Sequence, residues 1–329
     1  MIKEILERIF LVLVLFAVLL FSGTFINGSP AKSYDVKPFS IASLSSSVAK
    51  TETEPPPIKK SENLFLDVDV DAKSAYVLDL KEGRILFEKN SIEKRPLASI
   101  TKLLTALLAH ELVPKGGYIR ISGDAIKQTG DDGFVVGDKF KKEDLINFML
   151  ITSSNDAAYA FAEYMGDSLA GESGGGVSRF VAFMNERAKN LGLLNFSFLG
   201  PTGLDQEVNL ETVSSADGTA FGAVLLIRYI YETYPEILKE TRQTEISMKS
   251  QNGRIISGKS TNKAIFDIPQ LVAAKTGFTR LAGGNLVFIF DFGESHPILV
   301  SLLGSSEEGR FEDAKKIVGA VYNFYDESP

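Results

Sequence analysis

The chain of 329 residues is 44% hydrophobic, enough to bury a large core in one large domain or two small ones, which excludes disorder throughout. A net charge of −7 without any long Lys/Arg block excludes nucleic acid as the main partner, because binding phosphates needs a concentrated basic surface. With no cysteine and only His110 and His296, lacking HxxH or HExxH spacing, the chain offers no disulfide, thiolate metal site, cysteine nucleophile or zinc site, so its chemistry must rest on oxygen and amine groups.

The first element is the apolar run Ile9–Phe21, which continues through Ile26 to about 18 residues, near the lower limit for spanning roughly 30 Å of hydrocarbon. No small-x-small cleavage site follows it, which favours an uncleaved membrane anchor over residues 1–26 to a removed signal peptide. Lys3 and Arg8 before the run favour a cytoplasmic N-terminus, with everything after the run outside. Residues 27–63 turn to Ser, Pro, Lys and Ala (SLSSS, TETEPPPIKK) and read as a disordered linker with an r.m.s. span of roughly 30–36 Å.

A globular domain is expected over 64–329. SAYVLDL and RILFEKN, joined by KEG, read as a β-hairpin. An apolar helix follows from about Ser99. KKEDLINFMLITSSNDAAYAFAEYM has helical periodicity with a polar break at Thr152–Asp156, and a Gly-rich loop, GESGGG, precedes the helix SRFVAFMNERAKNLG. The last third is β-rich: IPQLVAAKTGFT, GGNLVFIFDFG and HPILVSLLGSS have the spacing of an antiparallel meander before an amphipathic helix, RFEDAKKIVGAVYNFY. This order predicts a mixed α/β fold, an antiparallel sheet built from both ends of the domain and flanked by helices, with a mostly helical subdomain inserted. The cleft between sheet and helical part is the natural place for a site.

Ser99-Ile-Thr-Lys102 fits SxxK, but so do the tetrapeptides starting at Ser29, Ser47, Ser91 and Ser260. Only Ser99 opens a long apolar helix, where i, i+3 spacing puts Lys102 on the same face one turn further in. A serine there is ordinarily an N-cap and a lysine a solvated charge. Here Ile100, Leu103, Leu104, Ala106, Leu107, Leu108 and Ala109 leave no broad polar face, so Lys102 is expected to be partly desolvated. Burial lowers a lysine pKa, and a serine within reach of a neutral amine is an activated nucleophile.

Gly171-Glu-Ser173-Gly-Gly175 matches the GxSxG elbow, with His296 following. That motif needs a strand, a sharp turn and a helix, whereas the preceding DAAYAFAEYMG is helical in pattern, so the segment reads as a surface loop. Ser153-Ser-Asn155 fits SxN, which recurs elsewhere in the chain. Its place in a polar break between two apolar helical segments suits a loop aimed into a cleft, as an alternative to a plain helix cap. Lys275-Thr276-Gly277 is the only KTG, and it ends the apolar run LVAA. It reads either as an edge-strand charge or as a cationic, hydroxyl-bearing strand edge that binds a carboxylate, with Gly277 allowing close approach.

Taken in order, SITK, SSN and KTG resemble the three signatures of the active-site serine penicillin-binding proteins and β-lactamases. The stretches AYVLDLKEGRILFEKN, RPLASITKLLTA, MLITSSNDAAYAFAEYM, FLGPTGLD, STNKAI, KTGFTRLAGGNLV and RFEDAKKIV are similar to the low-molecular-mass D-alanyl-D-alanine carboxypeptidases, over about residues 64–325. The resemblance implies a DD-peptidase/β-lactamase-like fold, a peptidoglycan stem peptide as substrate, β-lactams as covalent inhibitors and no cofactor. It implies that Ser99 attacks the penultimate D-Ala carbonyl with Lys102 as general base, and that Ser153 relays a proton to the leaving amine. Asn155 would hold the substrate backbone, and Lys275, Thr276 and Arg310 its terminal carboxylate, with the backbone N–H groups of Ser99 and Phe278 as the oxyanion hole.

Three features depart from the family pattern. Residues 167–178 look like an insertion, Arg280 stands where an aspartate usually follows KTGxT, and no second β-rich domain or C-terminal membrane helix follows, which leaves any anchoring to the N-terminal segment. Hydrolysis, transpeptidation and endopeptidase activity stay open on the sequence. A β-lactamase is disfavoured because no ExxLN-like segment supplies a deacylating carboxylate. A non-catalytic wall-binding protein is disfavoured by the intact Ser99, Lys102 and Lys275.

Overall fold

The computed structural model describes residues 68–130, 132–170, 176–193 and 195–326. The expected anchor, the linker and Ser173 lie outside these residues. Among the described residues no helix is long and apolar enough to cross a membrane, and no group of three or more His, Cys, Asp and Glu could hold a metal ion.

The predicted hairpin is β1 (Ser74–Asp79) and β2 (Arg84–Lys89), antiparallel with an irregularity between Val77 and Leu78. A short strand, β3 (Arg95–Pro96), leads through a 3₁₀ turn, Ala98–Thr101, into α1 (Lys102–Leu112). The small pair β4 (Tyr118–Arg120) and β5 (Lys139–Lys141) precedes α2 (Lys142–Thr152), α3 (Asn155–Ala170) and α4 (Gly176–Asn190). One expectation changes here: the polar break narrows to Ser153 and Ser154. Of the segment 167–178, the described residues end α3 and start α4.

Beyond α4 come β6 (Ser197–Phe198), the hairpin β7 (Asp205–Val208) and β8 (Glu211–Ser214), and β9 (Ala216–Gly218), which pairs with both β3 and β6. Helix α5 (Ala220–Thr233) was not expected. Its signal is the apolar run FGAVLLIRYIY after Thr219, whose hydroxyl caps the helix by accepting the Gly222 N–H at 3.0 Å. The hairpin β10 (Glu245–Lys249) and β11 (Ile255–Lys259) precedes the predicted meander of β12 (Leu271–Thr279), β13 (Gly283–Asp291) and β14 (Pro297–Ser305). Helix α6 (Gly309–Asp326) closes the chain.

The main sheet runs in the order β12-β13-β14-β1-β2 and is antiparallel at every joint, so it is built from both ends of the domain. Successive strand residues point to opposite faces, and here both faces are covered. Val287, Ile289 and Leu299 join the core of the helical subdomain, while Phe288, Phe290 and Val300 pack against Phe311, Ile317 and Val321 of α6. Helix α1 is buried from Lys102 to Ala109. Burying Leu103, Leu104, Leu107 and Leu108 stabilises by roughly 1.5–3 kcal/mol each, which offsets the cost of taking one amine out of water in the same helix.

The two ends are joined by Asp313, whose fully buried carboxylate accepts the N–H groups of Asp71 and Ala72 and the Ser305 hydroxyl, each at 2.8 Å. Asp313→Ala leaves these three donors without that acceptor and is expected to lower the unfolding free energy by about 2–4 kcal/mol. A urea midpoint equal to wild type would show that the carboxylate is not what ties the ends together.

Candidate active site

The segment entering the 3₁₀ turn is clamped to the sheet before it reaches Ser99. Asn285 of β13, fully buried, donates to the carbonyls of Pro96 (2.9 Å) and Leu97 (3.0 Å) and accepts the Gly304 N–H (2.8 Å). Ala98 then adopts φ +47°, a conformation that costs a non-glycine residue of order 1–3 kcal/mol and that persists only when its surroundings enforce it. Two glycines make room for this turn. A Cβ on Gly203 would lie 1.8 Å from the Ala98 oxygen, and one on Gly277 would lie 2.9 Å from the Leu97 oxygen and 3.1 Å from the Ser99 nitrogen. Strand β12 is thereby pressed against the nucleophile turn.

Ser99 caps nothing. The Thr101 hydroxyl donates to the Ala98 carbonyl at 2.7 Å, and Ser99 Oγ is left to the Lys102 Nζ at 2.8 Å. Nζ also lies 2.8 Å from Asn155 Oδ1 and 2.8 Å from the Thr202 carbonyl. Lys102 is fully buried, and desolvation lowers its pKa to about 7 against the opposing pull of the Asp132 carboxylate. As an ammonium it donates to all three partners. As a neutral amine it has two N–H groups for the two obligate acceptors, Asn155 Oδ1 and the Thr202 carbonyl, so its lone pair faces the Ser99 hydroxyl. The orientation of Asn155 is fixed from behind, since its Nδ2 donates to the Thr129 carbonyl at 2.6 Å.

Ser153 ends α2 in the left-handed conformation, φ +64°, and its Oγ accepts from the Lys275 Nζ at 3.0 Å. The N-cap role falls instead on Ser154, whose Oγ accepts the Ala157 N–H at 3.0 Å, which leaves its two neighbours to Lys275 and Lys102. Lys275 lies on β12 at the sheet edge as expected, but it is only 1% exposed. Burial lowers its pKa well below the usual lysine value, and the nearby Lys102 and Arg310 push in the same direction. Its other contact is the Thr276 carbonyl at 2.9 Å, and Thr276 Oγ1 meets Thr261 Oγ1 at 2.5 Å. Arg310 of α6 is buried too, donates to the Gly277 carbonyl at 2.7 Å and lies over the Phe311 ring, while its buried Nε has no hydrogen-bond partner. Among the described residues neither Lys275 nor Arg310 pairs with a carboxylate. Two basic side chains thus stand beside Ser99 without a carboxylate in direct contact, an arrangement suited to an anionic ligand.

Phe278 follows on the edge strand, its side chain 46% exposed. On either side of Arg280, Asp205 accepts from the Thr279 hydroxyl (2.9 Å) and the Leu281 N–H (3.2 Å), while Arg280 itself reaches Thr212. Sequence reasoning missed Thr202, Gly203, Asn285, Ser154 and Asp132. The first two belong to the PTG segment and Asn285 to GGN, but no local pattern in either stretch points at Ser99. His296 stands against buried Asp79 (2.9 Å) and Tyr325 and takes no part in this constellation.

Carbon NMR of lysine labelled at Cε should find one residue, absent in Lys102→Arg, that titrates with a midpoint of about 7. A midpoint in the ordinary range near 10 would mean that water reaches the amine.

A family model for peptidase S11, D-alanyl-D-alanine carboxypeptidase, matches residues 58–304. The D-alanyl-D-alanine carboxypeptidase DacF of Bacillus subtilis is 31% identical over 265 residues, covering 79% of this chain and 64% of its own length, so the chain spans a little under two thirds of that relative. A D-alanyl-D-alanine endopeptidase of Pseudomonas aeruginosa is 31% identical over 284 residues, covering 83% of this chain and 84% of its own. The crystal structure of penicillin-binding protein D2 from Listeria monocytogenes in its ampicillin-bound form superposes with a TM-score of 0.60 at 28% identity, over 79% of this chain and 99% of that one. With its family model spanning three quarters of the sequence, and with the serine, lysine and strand-edge groups of all three motifs meeting through direct hydrogen bonds, the chain belongs to the S11 serine peptidases, the D-alanyl-D-alanine carboxypeptidases.

Proposed function

We propose that the protein is a membrane-tethered D-Ala-D-Ala carboxypeptidase that removes the terminal D-Ala from peptidoglycan stem peptides through a Ser99 acyl-enzyme and is acylated by β-lactams. The observation that carries this reading is the Lys102 amine, buried and held 2.8 Å from Ser99 Oγ. With a pKa of about 7 it is half neutral at neutral pH, whereas an ordinary lysine near 10.4 offers roughly one free amine in a few thousand. Ser99 Oγ attacks the penultimate D-Ala carbonyl carbon as its proton passes to Lys102, with the Ser99 and Phe278 backbone N–H groups as the oxyanion donors. Collapse of the tetrahedral intermediate breaks the C–N bond. The Ser153 hydroxyl delivers a proton to the departing amine and is resupplied from Lys275 or Lys102. Water then hydrolyses the ester, with the proton leaving by the same base. Asn155 positions the peptide, and Lys275, Thr276 and Arg310 receive the terminal carboxylate.

Residues 9–26 anchor the chain in this reading, and the linker of 27–63 holds the domain outside the cytoplasm. The Pseudomonas relative, matched over 84% of its own length, favours endopeptidase action as the second reading. Release of D-Ala from a pentapeptide, measured against cleavage of a cross-linked dimer, separates the two.

A labelled penicillin should acylate the wild type, and Ser99→Ala should lose labelling by at least about 10³-fold. Labelling that survives the substitution would overturn the assignment. Arg310→Gln should lower kcat/KM for a peptide ending in D-Ala carboxylate by about 10- to 100-fold while leaving the C-terminal amide analogue nearly unchanged. An equal loss on both substrates would mean that Arg310 supports the fold rather than the carboxylate.

A further inference from the structure

The loop between β4 and β5 contributes a carboxylate that none of the three motifs includes. Its base is closed by the Gly137 N–H on the Ile121 carbonyl at 2.9 Å, and Phe134 seats it against Phe140 and Phe148, with ring centroids 5.4 and 5.5 Å away. Two further bonds tie its tip to the break between α2 and α3. The Thr129 carbonyl accepts from Asn155 Nδ2 at 2.6 Å, and Asp132 Oδ2 accepts from Ser154 Oγ at 2.5 Å. Ser154 is 2% exposed, and because its oxygen already accepts the Ala157 N–H, its own proton is committed to Asp132. The residue between Ser153 and Asn155 thus carries a link between the loop carboxylate and the Lys102 environment.

We propose that Asp132 is a positioning residue for the acylation step: held by Ser154, it keeps the Thr129 carbonyl on Asn155, and its negative charge sets how readily Lys102 gives up its proton. The inference rests on Lys102 being the general base. The charged groups facing that amine are Asp132 from the loop and Lys275 from β12, with Arg310 behind Lys275. Among the described residues Asp132 is the one anion in this group, and it opposes the effect of burial on Lys102. The oxygen that binds Ser154 survives in Asp132→Asn, so that variant removes the charge and keeps the link. Two consequences follow from general acid–base catalysis. Lys102 becomes neutral at lower pH, and the amine that results is a weaker base.

The experiment is the pH dependence of the acylation rate constant with a chromogenic β-lactam, on the full chain, with melting temperature as the folding control. For Asp132→Asn the acid limb should move down by about one pH unit and the plateau should fall several-fold, so that its profile crosses that of wild type. Asp132→Glu, which retains the charge, should keep the wild-type limb. Ser154→Ala, which retains the carboxylate but releases it, should move the limb in the same direction as Asp132→Asn. An unchanged limb in Asp132→Asn at wild-type melting temperature overturns the inference, as does a slowing confined to deacylation, which would make Asp132 the base of the second step. Failure of wild-type protein to be acylated at Ser99 would instead overturn the reading of the site itself.

Discussion

Everything at this site depends on an amine being kept out of water with no carboxylate in direct contact. Lys102 meets a hydroxyl, an amide oxygen and a backbone carbonyl at equal distances, and each of these accepts a hydrogen bond without neutralising a charge. A carboxylate in their place would have produced a stable ion pair and a lysine with no tendency to lose its proton. The geometry also selects where the lone pair points once the proton is gone, because two of the three partners can only accept. Base strength and base direction thus come from one set of contacts.

Those contacts exist because the backbone is brought unusually close around residues 97–102. Asn285 holds the carbonyls of Pro96 and Leu97 to β13, Gly203 lies under the Ala98 oxygen, and Gly277 lets β12 touch the turn from the sheet side. The left-handed Ala98 is over-determined by these three neighbours. On the other wall, the helical break contributes Ser153 and Asn155 with opposite duties, one toward Lys275 and one toward Lys102. Ser154 between them holds the helix end and the loop in place.

The parts of this legible in the sequence are those with a period or a local rule. The hairpin, the meander and the last helix followed from alternation and apolar spacing, and the buried character of α1 followed from its lack of a polar face. What Ser99 does with its hydroxyl did not follow, because SxxK recurs elsewhere and a serine before a helix is ordinarily a cap. The cap rule did operate in the second motif, but on Ser154 rather than on its neighbours. Thr202, Gly203 and Asn285 were illegible for a different reason. Their roles are set by approaches across 100 or more residues of chain, such as the 188 positions between Leu97 and Asn285, and no local pattern encodes those. Asp205, which binds Thr279 across 74 positions, is an instance of the same kind.

The joining of the domain's two ends in one sheet also governs when the site can be complete. β1 lies between β2 and β14, and the start of the domain is bonded to Asp313, some 241 positions later. A ribosome delivers the hairpin and the nucleophile turn first, yet the strand that presses against Ser99 and the arginine behind it come from the final fifth of the sequence. Pairings of such long range form late, since loop closure must precede any gain from contact. A chain cut short before β12 therefore carries Ser99 and Lys102 with one wall of their site missing.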